Sequence, residues 1–526
     1  MGEAPVSRDV VVVGGGHNGL ACAALLARGG LEPLLLERRP ILGGAAVTEE
    51  FHPGFRVSSL AHVAGPLRPR LVAALGLKLE TFSPEPRCVS PLGDGRVLRL
   101  WGDPQRTAAE LRAFSGKDAE RWPAYHEALT RICGALARVL DATPPDVDRP
   151  GLRDVWSLLG LGLAVRRLGR EDAYRLLRWG PMAVADFAAE WFESEPLRAL
   201  VAARGVFGAF AGPRSAGTTA NLLLQAAAAG GEAAGPCVLV KGGLGALSQA
   251  LADAARRLGA EIRTGAEVER LTVRDGRVAG VVLAGGEEVA ARAVVCGIDP
   301  KRAFLRLLDP RLLDPVELQR LRNIQQRGVC SKLNLALAGL PAFKGVADAD
   351  SLAGRIQLSR DTDEIERAFD PAKYGEIPER PWLDVTLPSL TDPDLAPPGR
   401  HVMSVYVQHT PYRLKQGDWD SRRGELADAV LRTLEEYAPG LSGLVLHRQV
   451  LTPLDLERSY GLTGGHPFHA EPSLNQVFAM RPLLGLGRYR GPLPGLYLCG
   501  AGTHPGGGVT GAPGANAARE VLRDLR

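Results

Sequence analysis

The chain has 526 residues, enough for two large domains or about three smaller ones at roughly 100 to 200 residues each. Its 63 basic and 59 acidic residues leave a net charge of +4, too balanced for a protein that binds nucleic acid through a concentrated basic face. The seven cysteines are scattered without a Cys-x-x-Cys pair, so we expect free, mostly buried thiols and neither a disulfide framework nor a zinc site.

Because a strand pattern begins by Val10, we expect no signal peptide before it. No window of about 18 residues has the uncharged, apolar character of a membrane span. We therefore expect a cytoplasmic protein that is soluble or contacts a membrane only at its surface.

The elements predicted in chain order begin with one βαβ unit and then become less regular. Strands at 9–13 and 34–37 enclose a helix at 18–28, which Gly29-Gly30 ends through a left-handed cap. Residues from about 105 to 235 have mainly helical patterns. Further strands are predicted at 238–240, 261–263, 267–274, 278–283, 294–296, 332–337, 382–387, 402–408 and 496–499, with helices at 241–258 and 426–437.

The βαβ unit carries a dinucleotide-binding pattern. Three glycines serve the tight turn, the close approach of backbone to a pyrophosphate, and the packing of helix on strand, while the helix N-terminus favours the phosphate charge. An acid at the end of the second strand accepts hydrogen bonds from ribose hydroxyls. We assign to this site Gly14, Gly16, His17, Asn18, Gly19 and Glu37.

A second glycine motif follows directly, in the sequence RRPILGGAA at 38–46. Here the chain resembles the FAD-dependent oxidoreductases of the glutathione-reductase-type fold, which carry a Gly-Gly pair close to the flavin phosphates just after the ribose acid. The resemblance implies FAD as cofactor and adds to the site Arg38, Gly43, Gly44 and Ala45. It also implies that the backbone of Val268 pairs with the adenine, although a simple core valine fits the same pattern.

The C-terminal sequence LYLCGAGTHPGGGVTGAPGANAA at 496–518 is the most specific motif. It resembles the C-terminal FAD motif of the phytoene desaturase and carotene isomerase family, and with GGAAVTEEFHPGF at 43–55 it is most similar to the branch named for a pyridine nucleotide-disulfide oxidoreductase domain. The resemblance implies that further flavin contacts come from Gly500, Ala501, Gly508, Val509 and Thr510.

The expected fold is α/β, with a Rossmann-like FAD-binding domain built from discontinuous segments and an α+β substrate domain. The predicted boundaries are 1–85, 236–305 and 456–526 for the FAD domain, and 86–235 and 306–455 for the substrate domain. Neither a second βαβ unit for a nicotinamide nucleotide nor a Cys-x-x-x-x-Cys dithiol is present. Many carotenoid desaturases have arginine where this chain has Ala45, so carotenoid specificity does not follow.

The predicted function is an FAD-dependent oxidoreductase that removes hydride from an apolar, isoprenoid-like substrate by desaturation or isomerisation. One alternative is an amine oxidase, for which Tyr460, Phe468 and Tyr497 leave room for an aromatic frame. Another is a non-catalytic lipid- or prenyl-binding protein of the same fold. We expect no metal site, because Pro467 breaks the helical spacing of the His466 and His469 pair.

Two further features have two interpretations each. His504 lies beside the expected flavin and could move a proton during catalysis, or it could be a loop histidine satisfied by backbone. Residues 152–178 hold six arginines against three acids, with Trp156 and several leucines nearby. They form either a membrane-surface contact or a solvated helix face.

Overall fold

A computed structural model describes residues 7–63, 65, 67–147, 150–233, 235 and 237–526. Two seven-stranded sheets and a cluster of helices build the protein. Within these described ranges, no helix is both long enough and apolar enough to cross a bilayer.

The first sheet, here called the parallel sheet, is assembled from distant parts of the chain. From one edge its strands run Val268–Arg274, Arg277–Leu283, Glu288–Cys296, Ser7–Val13, Pro33–Glu37 and Glu261–Thr264, and Leu496–Leu498 also pairs with Glu288–Cys296. The pairs made by Ser7–Val13 are parallel on both sides, whereas the three strands between 268 and 296 form antiparallel pairs.

The parallel sheet has an apolar core on each face, because successive strand residues point to opposite faces. Helices cover one of these faces. Val10, Val12 and Leu35 pack in one core with helices His17–Arg28, Leu244–Arg257 and Ala512–Leu525. Val11, Val13, Leu34 and Leu36 belong to a separate core on the opposite face. The all-apolar strands of the sequence are therefore buried on both sides, as parallel strands require.

The second sheet, here called the mixed sheet, is mainly antiparallel. Its strands run in the order Val445–Leu451, Cys330–Leu337, His401–Gln408, Leu383–Thr386, Arg355–Leu358, Cys88–Pro91 and Val97–Leu100. Among the described strands of this sheet, the pair between Arg355–Leu358 and Cys88–Pro91 is parallel and the other pairs are antiparallel. Helix Trp419–Tyr437 shares a core with this sheet through Trp419, Leu426 and Val430.

The helices of the chain segment 104–228 form a third part of the structure, here called the helical cluster. They are Pro104–Leu111, Gly116–Leu140, Leu152–Arg167, Gly169–Trp179, Val184–Trp191, Glu195–Val206 and Thr218–Ala228. Trp122, Tyr125, Phe187 and Phe192 form the aromatic centre of their shared core.

The remaining elements connect these three parts. Two small antiparallel pairs are also present: the hairpin of Thr48–His52 with Phe55–Ser58, and the long-range pair of Thr81–Phe82 with Leu239–Val240. The other α-helices are Pro69–Leu75, Pro300–Arg302, Pro315–Arg322, Thr362–Lys373, Leu441–Leu444 and Pro453–Tyr460.

The predicted α/β class with one sheet built from separated stretches is confirmed. The predicted domain boundaries stay a prediction, although the parallel sheet draws its strands from the segments that were assigned to the FAD domain. The predicted left-handed end of the first helix is confirmed: Gly30, at φ 88°, follows the cap residue Gly29, and the Gly30 and Leu31 amides donate to the Ala27 and Leu26 carbonyls. All seven cysteines are buried and free.

Candidate active site

The first glycine turn has the geometry that its sequence predicts. Gly14 adopts a φ of 100°, in the left-handed region, and its amide donates to the Leu36 carbonyl at 2.8 Å. A side chain on Gly19 would lie 2.1 Å from the Gly14 carbonyl oxygen, so the helix can only pack this closely without one. At Gly16 an added Cβ would meet nothing nearer than the Cα of Gly44, at 3.9 Å, so this glycine borders open space.

The second glycine pair lies directly against the first turn. The Gly43 amide donates to the Gly15 carbonyl at 2.8 Å, and Gly43 and Gly44 both have positive φ. An added Cβ on Gly44 would lie 3.0 Å from the Gly16 Cα. The two motifs, separated by more than 20 residues in sequence, therefore form one continuous backbone cradle.

Glu37 stabilises this cradle through hydrogen bonds to both of its carboxylate oxygens. Its Oε2 accepts the Gly15 amide at 2.7 Å and its Oε1 accepts the Arg39 amide at 2.9 Å. The residue is buried, and it borders a cleft that the structure also lines with Gly14, Arg38 and Val268. The ribose acid and the adenine-pairing strand that the sequence predicts therefore meet in one place.

The C-terminal motif completes the site from the other end of the chain. His17 Nε2 lies 3.2 Å from the Gly508 carbonyl oxygen, which joins the two motifs directly. Helix Ala512–Leu525 packs so closely on the first helix that a side chain on Gly514 would lie 2.1 Å from the Asn18 carbonyl. Ala501, Gly508, Val509 and Thr510 line the same cavity as His17 and Ala45.

The chemistry of this cradle fits a dinucleotide. Helix His17–Arg28 begins without a capping side chain and without an acid in its first turn, so its N-terminal amides face outward, where an anion binds best. The donors therefore suit a pyrophosphate, with Glu37 placed for the ribose.

A large cavity adjoins the C-terminal motif. It contains about 1540 Å³ of space outside protein atoms, part of it open to solvent. Its wall is mainly apolar, and it includes the stacked rings of Phe207 and Tyr406, whose centroids are 4.4 Å apart, and the ring of Phe468. The cavity lies between the parallel sheet's glycine motifs, the mixed sheet and the helical cluster.

A buried polar cluster borders the cavity on the side of the mixed sheet. His62 Nδ1 lies 2.6 Å from Lys332 Nζ, and His62 Nε2 lies 3.3 Å from Asp384 Oδ1. Arg355 donates to Asp384 at 2.8 Å. His62, Arg355 and Asp384 line the cavity, and Lys332 is fully buried behind His62.

Burial sets the protonation of this cluster. It lowers the pKa of the Lys332 ammonium to about 7 and, together with the Lys332 charge, the pKa of His62 to about 4. Burial alone would raise the pKa of Asp384, but the charge of Arg355 and the contact with His62 hold it well below its usual range. At neutral pH, His62 is therefore neutral and Lys332 is close to its midpoint.

His504 is placed differently from the sequence-based expectation of a proton-moving residue at the flavin. Its Nε2 lies 2.8 Å from the Val139 carbonyl oxygen, and burial lowers the pKa of its imidazole to about 4. Among the described residues that line the cavity, its neighbours Pro505 and Gly506 are present and His504 is not. This geometry matches the alternative of a loop histidine satisfied by backbone, and the catalytic role stays a prediction.

The aromatic residues considered for an amine site are not gathered around the cavity. Of Tyr460, Phe468 and Tyr497, only Phe468 is among the described residues that line the cavity. Tyr460 donates to Glu49 and Tyr497 donates to Asp524, each at 2.8 Å.

Sequence reasoning missed the polar cluster, although the sequence held a signal. Lys332, Arg355 and Asp384 are charged residues inside strands whose every residue is buried. An ionised side chain is almost never fully buried without a partner. Three such residues in separate buried strands therefore predict a shared buried site, even before their contacts are known.

The joined glycine motifs, the ribose acid and the adjoining apolar cavity define an FAD-dependent oxidoreductase. The family model for flavin containing amine oxidoreductase matches residues 19–522, and the chain belongs to this family. It is 40% identical to the pyridine nucleotide-disulfide oxidoreductase domain-containing protein 2 of Rattus norvegicus, over 98% of this chain and 94% of the relative.

More distant relatives and structures agree with the sequence-based resemblance. The chain is 29% identical to a zeta-carotene-forming phytoene desaturase of Myxococcus xanthus, over 97% of this chain and 92% of the relative. The crystal structure of an oxidoreductase from Methanosarcina mazei superposes with a TM-score of 0.61 at 17% identity, over 98% of this chain and 100% of that one. The predicted cofactor, enzyme class and family resemblance are confirmed, whereas the individual flavin contacts stay predictions.

Proposed function

We propose that this oxidoreductase dehydrogenates an apolar, isoprenoid-like substrate in the cavity beside the FAD cradle. The observation that carries the proposal is the apolar wall of the cavity, which begins at Ala45 and the C-terminal motif and continues to Leu224 and Ala228 of the helical cluster. Apolar walls with few polar groups are typical of sites for apolar ligands. Two relatives, the phytoene desaturase included, support an oxidoreductase without fixing its substrate.

FAD, when bound, supplies the acceptor for the hydride that leaves the substrate. The protein must then take up the proton that dehydrogenation also releases. Lys332 and His62 are placed for this task, because His62 lines the cavity and contacts Lys332 at 2.6 Å. A base that titrates near pH 7 both accepts and releases protons under physiological conditions. We propose that the proton passes from the cavity through His62 to neutral Lys332.

An amine substrate is less well matched to this cavity. Four arginines line its described part, against the single carboxylate of Asp384. A protonated amine would meet an excess of like charge and would find the one carboxylate already bound to Arg355. The non-catalytic alternative is opposed by the intact cradle and by the family to which the chain belongs.

The helix Leu152–Arg167 and its successor suit a membrane surface through which an apolar substrate could enter. Only Asp154 and Ala164 of this helix are buried, whereas Leu152 and Trp156 are 84% and 72% exposed. We propose that this face binds an anionic lipid surface, since its exposed apolar residues lie between Arg153 at one end of the helix and Arg166 and Arg167 at the other. The exposed groups are Leu152, Arg153, Val155, Trp156, Leu158, Leu159, Leu163, Arg166, Arg167, Tyr174 and Leu177.

Flotation with lipid vesicles tests the surface. The parent chain should float with vesicles that contain phosphatidylglycerol and less with pure phosphatidylcholine. A Trp156→Ser, Leu159→Ser double variant should stay at the bottom, while Leu312→Ser, at an exposed leucine elsewhere, should float like the parent. Equal flotation of the double variant would contradict the assignment.

Product analysis tests the reaction itself. The FAD-loaded enzyme should convert at least one member of a panel of carotenes, terpenes and long-chain lipids to a product lighter by two hydrogens, detected by mass spectrometry. The same enzyme should leave putrescine and benzylamine unchanged. Turnover of amines alone would overturn the proposal in favour of an amine oxidase.

A further inference from the structure

The charges that line the cavity do not balance. Among the described residues of its wall, the cations are Arg68, Arg204, Arg355 and Arg481, and the only carboxylate is Asp384. Three of these arginines have their own partners. Arg68 pairs with Asp141, Arg355 pairs with Asp384, and Arg481 donates to five backbone carbonyls.

Arg204 is the cavity arginine that has neither a carboxylate partner nor a set of backbone carbonyl acceptors. It is 8% exposed, and the hydrogen bond that holds it comes from its Nη2 to the amide oxygen of Gln225, at 2.8 Å. Its guanidinium also lies over the Phe207 ring, 5.3 Å from the centroid. No carboxylate among the described residues pairs with it within 4 Å. An amide oxygen and a ring face position a guanidinium but do not neutralise it.

The surroundings hold Arg204 in a fixed position. Gln225 Nε2 donates to the Phe207 carbonyl and to Asn221 Oδ1, and Asn221 Nδ2 donates to the Gly205 and Phe207 carbonyls. The NH₂ groups of Gln225 and Asn221 therefore bind the protein itself and fix the acceptor that holds Arg204. Arg204 thus remains the donor that faces the cavity.

A second guanidinium strengthens the local positive charge. A side chain on Gly235 would lie 2.8 Å from Arg204 Nε and 2.9 Å from Arg355 Nη1, so both arginines flank the same glycine. Burial, and next the charge of Arg355, lower the pKa of Arg204 to about 9. The charge of Asp384 opposes this lowering, and the two guanidinium groups still outnumber the one carboxylate, an excess that an anion would offset.

We propose that the cavity takes an apolar substrate that ends in a carboxylate, and that Arg204 binds this carboxylate. The planar fork of a guanidinium matches a carboxylate better than it matches a neutral hydroxyl or an ester. The apolar walls formed by Leu224, Ala228 and Ala229 then surround the chain of the substrate. This inference rests on the proposed dehydrogenation of an apolar substrate and names the class of that substrate as an apolar acid.

Ligands of one chain length and three head-group charges test the inference. Dodecanoate, dodecan-1-ol and dodecylammonium are titrated into the FAD-loaded enzyme below their micelle concentrations, and calorimetry and the shift of the flavin absorption band report binding. Dodecanoate should bind about ten- to hundredfold more tightly than the alcohol, the range expected for a charge-assisted hydrogen bond to a buried group. Dodecylammonium should bind most weakly.

Variants identify the residue. Arg204→Gln should remove the preference for the acid, and Arg204→Lys, which keeps the charge without the fork, should retain part of it. Arg68→Gln is the matched control, because Arg68 lines the same cavity but is paired with Asp141, and it should keep the full preference. FAD content and thermal midpoint establish that each variant is folded.

Two outcomes would overturn the inference: equal binding of the acid and the alcohol to the parent enzyme, or an unchanged preference in Arg204→Gln. If Arg204→Gln does not fold, the test rests on the comparison of dodecanoate with dodecan-1-ol in the parent enzyme and in Arg204→Lys. Bleaching of the flavin by neutral apolar substrates, with no preference for acids, would keep the proposed function and reject this site. Acid-selective binding, with no flavin reduction by any apolar compound, would keep the carboxylate site and reject the proposed function.

Discussion

Substitution of Glu37 should weaken FAD binding by more than the loss of ribose contacts alone. Its two carboxylate oxygens each accept one backbone amide, of Gly15 at 2.7 Å and of Arg39 at 2.9 Å, so the carboxylate shapes the glycine turn. We expect it to bind the ribose as well. Glu37→Gln keeps one acceptor oxygen and turns the other into a donor that meets an amide. A charge-assisted hydrogen bond contributes about 1.5 to 3 kcal/mol, so we expect FAD affinity to fall about ten- to hundredfold.

Glu37→Ala should lose at least as much affinity, because both amides then lack their acceptor. The chain should nevertheless stay folded, since its large cores do not depend on this residue. The assay is titration of the FAD-free protein with FAD, followed by flavin fluorescence, with circular dichroism as the check on folding. Glu32→Gln is the control, an exposed glutamate just before the same strand. Parental FAD affinity in both Glu37 variants would refute the assignment of Glu37 to the cofactor site.

Three other predictions follow from the site. FAD should be held without a covalent bond, because no cysteine is among the described cavity-lining residues and His504, the histidine of the C-terminal motif, contacts the Val139 carbonyl instead; acid precipitation should release all the flavin, and colour in the pellet would contradict this. NADH or NADPH, mixed anaerobically with the oxidised enzyme, should not bleach the flavin within a turnover time, since the sequence has only one strand–turn–helix unit with a downstream acid; rapid bleaching would show that a nicotinamide reaches the flavin. Flavin reduction by substrate should slow as pH falls below about 7, when Lys332 becomes protonated, and Lys332→Met should be slow at every pH; a parental pH profile in the variant would remove Lys332 from the proton path.

Lys332 also gives a stability prediction with a definite sign. Its pKa in the folded chain is about 7, below the ordinary value of 10.5, so the unfolded chain binds the proton more readily between these values. The folded state therefore loses stability as pH falls from about 10 to 7, and the loss is complete below that range. Lys332→Met should remove this part of the pH dependence, measured by denaturant unfolding at a series of pH values. An identical slope in parent and variant would contradict the lowered pKa.

The sequence predicts the cofactor cradle well because backbone geometry dictates its residues. Gly14 must adopt a positive φ, and Gly19 must leave room for a carbonyl oxygen 2.1 Å from where a Cβ would be. Such requirements leave glycines at fixed spacings that can be read directly. The strand that ends at Glu37 and the helix that follows the turn have local patterns of equal clarity.

The buried polar cluster beside the cavity could not be predicted in the same way. His62, Lys332 and Asp384 come from three distant parts of the chain, and their contacts depend on the register of the mixed sheet. The sequence places His504 within the flavin motif, but its ring contacts the Val139 carbonyl, in a helix more than 300 residues away. Nearness along the chain gives the position of a loop, and only tertiary packing gives the direction of its side chains.

Anaerobic titration of the oxidised enzyme with an apolar substrate is the most direct test of the account. A reactive carotene, terpene or long-chain acid should bleach the flavin band with one substrate consumed per FAD, and the product should carry one additional double bond. Amines of similar length should leave the band unchanged. Bleaching by amines, with none of the apolar compounds reacting, would contradict the account.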